Sequence, residues 1–272
     1  DIKYYKEKGC SAMAYGIETG SQKILDLIEK VATIEDSIRV LNLCNQYGIH
    51  YPINIMIGMP GEDETTAKET GKFLGKIAAM IGVHPLLLQS QTSYALPLPG
   101  TPLWEYGEQI GVIGKETNDV IEYLTRVADV GTYKRYYINL NGAPISEVLF
   151  WEYLVKLEAS RTFRKQINKS DINKELTNKY IELRKKIKKY NPNQSLKYTS
   201  LKFTMITYLI DNFIVGRKYV DFLPRAIIYP VVKYFIYFEY LIQKMFKSNR
   251  KNNIFMKTKK VARVDFESVA NE

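Results

Sequence analysis

Three short segments of the 272-residue sequence combine glycine or proline with polar side chains, and each follows an apolar stretch. They are Glu18-Thr19-Gly20-Ser21, Gly58-Met59-Pro60-Gly61-Glu62 and Pro97-Leu98-Pro99-Gly100-Thr101-Pro102. A carboxylate such as that of Glu18 can accept hydrogen bonds from ribose hydroxyls or from an ammonium group. Glycines beside it, Gly16 and Gly20, let a flat ring or a sugar approach the backbone closely. These residue types suit the binding of a polar cofactor.

The sequence offers little for catalysis by side chains alone. It contains no Ser-His-Asp set, no phosphate-cradling glycine loop and no metal-ligand spacing. Its two cysteines are Cys10 and Cys44, and its two histidines are His50 and His84. Cys10 precedes an apolar stretch, Cys44 falls on the apolar stripe of a helix, and neither histidine has an acidic partner at ligand spacing. We predict structural roles for all four and no metal site.

The apolar stretches before the three segments indicate strands at residues 12–18, 49–58 and 83–96, with helical periodicity between them. Strands that alternate with helices at this spacing are typical of a parallel sheet, in part of a (β/α) barrel or in a doubly wound sheet. In both folds the carboxyl ends of the strands share one edge, where ligands bind. Each segment alone is also typical of an ordinary turn. Their matching positions favour a shared site in an α/β fold.

Helix starts are predicted from residues that can cap the first turn. These signatures are Ser21, Thr33 with Asp36, Thr66 with Glu69, and Ser146. The helix after Thr33 is predicted to end at Gly48, and the helix after Thr66 near Ile81. A short helix is predicted after Thr101-Pro102.

Charge divides the chain into two parts. Residues 1–150 carry 13 Lys/Arg against 18 Asp/Glu, whereas residues 151–272 carry 26 against 11. The sequence predicts four regions, which are an α/β region at 1–112, a connecting segment at 113–145, a basic and mostly α-helical region at 146–247, and a disordered tail at 248–272. Within the third region, a basic helix is predicted at 171–190.

Residues 222–246 form the most aromatic stretch of the chain. A helix over 226–247, after an interruption at Pro230, would have a wide apolar face. That face would pack against the α/β region or a partner subunit, or it would lie on an anionic membrane surface. Packing is the default expectation. Nucleic-acid binding is not expected, because no recognised motif accompanies the charge.

Three segments together resemble the radical S-adenosylmethionine superfamily and, within it, the cobalamin-binding subfamily. They are KGCSAMAYGIETGSQKILDLI, QYGIHYPINIMIGMPGEDETTAKET and LPLPGTPLWEYGEQIGVI, and they cover roughly residues 1–113. The resemblance implies the C-terminal portion of a partial (β/α) TIM-type barrel, with S-adenosylmethionine lying across the strand ends. Thr19 stands where the subfamily usually has serine.

The resemblance also implies roles for individual residues. Glu18 would help hold the ribose or methionyl part of S-adenosylmethionine, with Ser21 close by. Gly58, Met59 and Pro60 would line the adenine. The residues nearer the substrate would be Pro99, Gly100 and Thr101.

One departure from the family pattern is large. The Cys-x3-Cys-x2-Cys loop, whose thiolates ligate the family's 4Fe-4S cluster, is absent from this sequence. We expect the chain to be the C-terminal part of a longer radical enzyme, with the cluster loop and a cobalamin module upstream of Asp1. The chain alone would then be inactive.

The resemblance further implies a flavodoxin or ferredoxin as electron donor and a small-molecule or lipid substrate that the sequence does not identify. No signal peptide and no run of 18 uncharged apolar residues is present, which predicts a cytoplasmic protein, peripheral at the inner face of the membrane if 226–247 binds lipid. The alternative is a catalytically inactive, membrane-associated or scaffold protein that keeps the sheet edge as a binding platform.

Overall fold

The computed structural model describes residues 1–83, 85, 88, 90–113, 120, 121, 123–125, 138–167 and 224–247. The strands in these ranges are β1 (Tyr15–Glu18), β2 (Ile53–Ile57) and β3 (Ser90–Tyr94). The helices are α1 (Ile2–Glu7), α2 (Gln22–Leu27), α3 (Ile34–Gln46), α4 (Glu64–Met80), α5 (Pro102–Gln109), α6 (Ile145–Gln166) and α7 (Arg225–Lys247). The predicted basic helix at 171–190 and the predicted tail at 248–272 lie outside the described residues.

The three strands form one parallel sheet in the order β1-β2-β3. Ile53 lies opposite Tyr15 on one side and Ser90 on the other. Helices α2 and α3 connect β1 to β2, and α4 connects β2 to β3. The predicted α/β class and the parallel pairing are therefore confirmed.

All three strands are shorter than predicted. Residues 12–14 contribute only one isolated bridge, between Ala12 and His50. Pro52 has no N–H to donate to a ladder, and β2 begins at the residue after it. Before β3, Leu88 donates to the carbonyl of Pro85 at 3.2 Å, which is a turn rather than an extended strand.

The sheet has one buried face and one open face. Along β2, Ile53, Ile55 and Ile57 are fully buried, whereas Asn54 and Met56 between them are half-buried. The buried face packs into a core that α4 and α6 complete. The carboxyl ends of the three strands lie along one edge of this sheet.

Helix α6 crosses α4 at very short range. A Cβ at Gly71 would lie 2.7 Å from the Val155 carbonyl oxygen, and a Cβ at Gly75 would lie 2.5 Å from that of Ala159. The missing side chains therefore allow backbone-to-backbone approach between the helices. Tyr94 of β3 also donates to Glu152 of α6 at 3.0 Å, which ties α6 to the sheet.

The predicted capping box of Thr33 and Asp36 is confirmed at the start of α3. The box predicted for Thr66 and Glu69 is wrong, because Asp63 caps α4 and pairs with Thr66 in the box. An aspartate three residues before Thr66 accepts from the N–H groups of Thr65 and Thr66, so the helix begins one turn earlier than predicted.

Two further helix starts differ from the prediction. Ser146 lies inside the first turn of α6, whose N-cap is Pro144, a residue that makes no side-chain capping bond. Ser21 occupies the N-cap position of α2, but its side chain makes no capping hydrogen bond.

Helix α7 continues through Pro230 rather than breaking there. The missing proline N–H would leave the carbonyl of Ala226 without its helical partner. Both residues are exposed, so water can bond that carbonyl. Among the helices described, none combines the length and the apolar character needed to cross a lipid bilayer.

Candidate functional site

The sheet brings the three predicted segments to one edge, because parallel strands end on the same side. Glu18 is the last residue of β1, and Gly58 directly follows β2. The third segment begins farther from its strand, since residues 95 and 96 separate Pro97 from β3. The helices that follow the first two segments are also linked, because Lys23 of α2 lies 3.4 Å from Asp63, the N-cap of α4.

Glu18 has a left-handed backbone conformation, with φ of 67°. This conformation costs a non-glycine residue about 1–2 kcal/mol. It coincides with an irregularity of the β1–β2 register between Gly16 and Glu18. Backbone strain of this kind is often concentrated at functional sites. The strained conformation makes Glu18 the main candidate for a functional residue at the end of β1.

The Glu18 carboxylate is partly accessible and is held by a lysine. Its Oε1 lies 3.3 Å from Lys30 Nζ, and the Glu18 side chain is 24% exposed. Lys30 Nζ also donates to the carbonyl of Gly16. The carboxylate thus keeps free acceptor capacity at the sheet edge, in a defined orientation.

The two glycines near this residue lie against different protein groups. A Cβ at Gly16 would collide with the Glu18 carboxylate itself. A Cβ at Gly20 would lie 2.5 Å from the Cβ of Phe73 and 2.7 Å from the Cα of Thr70, both in α4. The expectation that a ring or a sugar approaches is therefore wrong for the buried Gly20, and for the exposed Gly16 it stays a prediction. Gly20 allows close packing of the turn on α4 instead.

A buried hydroxyl network anchors the turn after β1 to α4. The hydroxyls of Thr19 and Thr70 lie 2.9 Å apart, and the N–H of Gly20 donates to Thr70 Oγ1 at 3.0 Å. Ser21 is 1% exposed, and its hydroxyl donates to Glu69. As a cofactor ligand Ser21 stays a prediction, but its contacts give it a positioning role. Thr70 and Glu69 were missed because they lie on α4, about 50 residues away.

The buried side chain of Glu62 holds the turn that follows β2. It is 5% exposed, and Oε2 accepts from the N–H of Gly58 at 2.6 Å. Burial raises the pKa of the Glu62 carboxyl to about 8, even though the hydrogen bonds from the N–H groups of Gly58 and Met59 lower it. Gly58 itself has φ of 84°. The turn is therefore held by a side chain that a ligand cannot reach.

Asn141 holds the same turn from the other side. Its Nδ2 donates to the carbonyl of Met59 at 2.6 Å and to that of Glu62 at 2.8 Å. Met59 stays half-buried, and Pro60 is buried. The sequence analysis missed Asn141, although the Asn141-Gly142 pair is a turn signal that could have drawn attention to it. The side chains of Glu62 and Asn141 thus hold the turn together, and its peptide groups are preorganised.

The third segment is the most open. Gly100, with φ of 82°, has no atom within 4 Å of where a Cβ would lie, and Pro99 is exposed. Thr101 caps α5, where its hydroxyl accepts from the N–H of Trp104 at 3.3 Å. A role on the substrate side stays a prediction for all three residues.

The described residues contain no group of three or more His, Cys, Asp or Glu that could hold a metal ion. Cys44 is fully buried and lies 3.7 Å from the hydroxyl of Tyr15, and Cys10 donates to the carbonyl of Ala12 at 3.4 Å. The whole chain has only these two cysteines, so it cannot supply three thiolates to a cluster. His50 is exposed, and His84 lies outside the described residues.

Glu62→Gln is expected to remove a pH dependence of stability. The pKa of this carboxyl is about 8 in the folded chain, against its ordinary value of 4.5 in the unfolded chain. Between these values the folded chain keeps a proton that the unfolded chain releases. Stabilisation is therefore full below about pH 4.5, and the free energy of unfolding falls by up to about 1.4 kcal/mol per pH unit as the pH rises toward 8. Glutamine keeps an acceptor oxygen at this position but does not titrate.

Urea unfolding of both proteins at several pH values between about 5 and 8 measures this difference. The control is Glu64→Gln, an exposed acid in the same segment, which is expected to keep the wild-type slope. If the free energy of unfolding changed equally with pH in the wild type and in Glu62→Gln, the raised pKa of Glu62 would be contradicted.

Comparison with known proteins finds similarity for the part of the chain that contains the first two segments. Residues 1–74 match the sequence profile of the radical SAM superfamily. The chain is 35% identical over 104 residues to an uncharacterized methyltransferase of Pyrococcus horikoshii, in an alignment that covers 38% of the chain and 21% of the relative. It is also 26% identical over 138 residues to an uncharacterized protein of Methanocaldococcus jannaschii, covering 47% of the chain and 26% of the relative.

The chain thus spans about a fifth to a quarter of the length of these curated relatives. The matched residues run from α1 into α4, and they contain Glu18 with its anchored turn and the segment after β2. The similarity to the radical SAM superfamily is therefore shown for residues 1–74.

Proposed function

We propose that this chain forms part of the S-adenosylmethionine-binding half of a radical enzyme. The observation that carries the proposal is that the superfamily match contains the strained, accessible carboxylate of Glu18 at a strand end. The parallel sheet would be the last strands of a partial (β/α) barrel, which is the architecture that the superfamily implies. The site would then lie at the carboxyl edge of the strands.

The residues present fit the polar parts of S-adenosylmethionine. The carboxylate of Glu18 would accept hydrogen bonds from the ribose hydroxyls or from the amino group of the methionyl part. The preorganised turn at Gly58, Met59 and Pro60 would lie along the adenine, with the half-buried Met59 against its ring. Pro99, Gly100 and Thr101 would face the substrate.

A 4Fe-4S cluster fits no set of side chains in the described residues, and the two cysteines cannot ligate it. We infer that its ligands lie in another part of the full-length protein, together with a cobalamin module. When bound, the cluster and S-adenosylmethionine supply the radical that activates a C–H bond. The residues of this chain would orient S-adenosylmethionine and keep water from it.

A methyl transfer is the reaction that we favour. The Pyrococcus relative carries a methyltransferase name, which supports this choice over a rearrangement. The electron would come from a flavodoxin or ferredoxin. The substrate would be a small molecule or a lipid.

The test is 5′-deoxyadenosine formation by the full-length protein, reconstituted anaerobically with iron, sulfide and a chemical reductant. We expect 5′-deoxyadenosine above background from that protein and none from this chain alone. S-adenosylmethionine binding without any product, in protein with a fully assembled cluster, would contradict the enzyme and favour a non-catalytic scaffold.

A further inference from the structure

Helix α7 is attached to the rest of the chain through one face. Ile228, Val232 and Ile236 are buried in the core that α6 shares. Tyr229 donates to Glu158 of α6, a carboxylate that Arg225 also contacts at 2.8 Å. The orientation of α7 about its axis is therefore fixed by apolar and polar contacts together.

A second ion pair fixes the helix on the same side. Lys233 of α7 lies 3.1 Å from Glu147 near the start of α6. The basic groups Arg225 and Lys233 are thus paired with α6, and they are not the residues that face away from it. What faces away is apolar.

The outer face of α7 exposes six large apolar or aromatic side chains. They are Ile227 (52% exposed), Val231 (40%), Tyr234 (73%), Phe235 (47%), Tyr237 (48%) and Phe238 (58%). Four of them recur at a spacing of three or four residues, so they line one side of the helix. Single exposed apolar residues are ordinary, but a continuous aromatic surface of this kind marks an interaction site.

The charge of the sequence around this face indicates the partner. Besides Arg225 and Lys233, which pair with α6, residues 234–263 contain eight Lys or Arg and one acid, Glu239. A second copy of the chain would bring two such basic segments together, and like charges at an interface are unfavourable. An anionic lipid surface instead attracts basic residues that lie near it. Tyrosine also suits the boundary between headgroups and acyl chains, and phenylalanine is common on the apolar face of helices that lie in that boundary.

We propose that the outer face of α7 lies on an anionic phospholipid surface, with the helix axis parallel to the membrane plane. Because the inner face stays packed on α6, only the outer side chains enter the headgroup region, to a depth of about 5–10 Å. The basic residues that follow along the sequence add electrostatic attraction. A phosphatidylglycerol-type headgroup supplies the negative charge.

The experiment is co-sedimentation of the full chain with vesicles of phosphatidylcholine alone or with about 30 mol % phosphatidylglycerol. We expect binding to the anionic vesicles that is at least ten-fold tighter than to the neutral ones and that weakens as salt is raised. Tyr234→Ser with Phe238→Ser is expected to weaken binding to anionic vesicles by about ten-fold or more, since it removes two aromatic anchors.

A matched control uses two aromatic residues on another helix. Tyr4 and Tyr5 of α1 are each 52% exposed, and Tyr4→Ser with Tyr5→Ser is expected to leave vesicle binding unchanged. Phe235→Ser with Tyr237→Ser serves as a second test pair if the first variant shows an altered melting temperature. Equal binding by wild type, test variant and control variant would overturn the proposal. So would a concentration-dependent dimer in sedimentation velocity that the test pair abolishes, because it would assign the face to a second copy.

Discussion

Glu18→Gln is expected to raise the Kd of the cluster-loaded full-length protein for S-adenosylmethionine by about ten-fold to a hundred-fold. The substitution keeps the size and the backbone position of the side chain but removes its negative charge. Hydrogen bonds to a charged acceptor contribute about 1.5–3 kcal/mol, and their loss converts to this range of affinity. Isothermal titration under anaerobic conditions measures the change directly, without relying on turnover.

Glu29 offers a close control for this substitution. It is the other non-glycine residue with a positive φ, 55°, among those described, but it is exposed just after α2 rather than at a strand end. Glu29→Gln is expected to leave the Kd unchanged. If both variants bind equally well, the carboxylate of Glu18 does not contact the cofactor and the site is placed wrongly.

Lys30, which contacts the Glu18 carboxylate, provides a second comparison. It donates to both Glu18 and the carbonyl of Gly16, so it orients the carboxylate without itself being required as a ligand. Lys30→Met is therefore expected to change the Kd less than Glu18→Gln does. This difference separates a residue that contacts S-adenosylmethionine from one that positions it.

The location of Glu18 followed from the sequence, whereas its conformation did not. An apolar stretch that ends in a carboxylate before a helix predicts a strand end, and β1 ends at Glu18. The left-handed φ depends on the register shift against β2, and a register shift is a property of two strands rather than of one segment. Local patterns predict where an element ends better than how it is distorted there.

The residues that position the site were the hardest to find. Glu69, Thr70 and Asn141 act on turns that lie about 50 to 80 residues away in the sequence. Their roles depend on where α4 and the segment before α6 pack, which no local pattern encodes. Glu69 was in fact assigned to a helix cap, because the capping pattern with Thr66 is satisfied in sequence even though Asp63 takes that role in space.

The glycines were visible in the sequence, but what packs against them could not be predicted from it. Gly20 was expected to make room for a ligand, but it makes room for Thr70 and Phe73. A glycine pattern indicates that something approaches the backbone closely, and only the packing tells what does. For Gly71 and Gly75, which the sequence analysis did not single out, the approaching group is the backbone of α6.

Gly75→Ala is expected to destabilise the chain, although the same change in an isolated helix is stabilising. A Cβ at this position would lie 2.5 Å from the Ala159 carbonyl oxygen and 2.6 Å from the Cβ of Thr162. The obstruction is backbone, so α6 has to move as a unit. Overpacking of this kind costs about 1–3 kcal/mol, against a gain of about 1 kcal/mol in helix propensity. Gly75→Leu is expected to cost more than Gly75→Ala.

The sign of the Gly75→Ala effect is the decisive quantity. Urea unfolding gives the free energy, and Lys76→Ala at the adjacent exposed position is the control, with an expected change within about 0.5 kcal/mol. A Gly75→Ala variant more stable than wild type would mean that α4 and α6 do not approach at this distance. A less stable one would support the contact through which α6 covers the sheet and carries α7 with it.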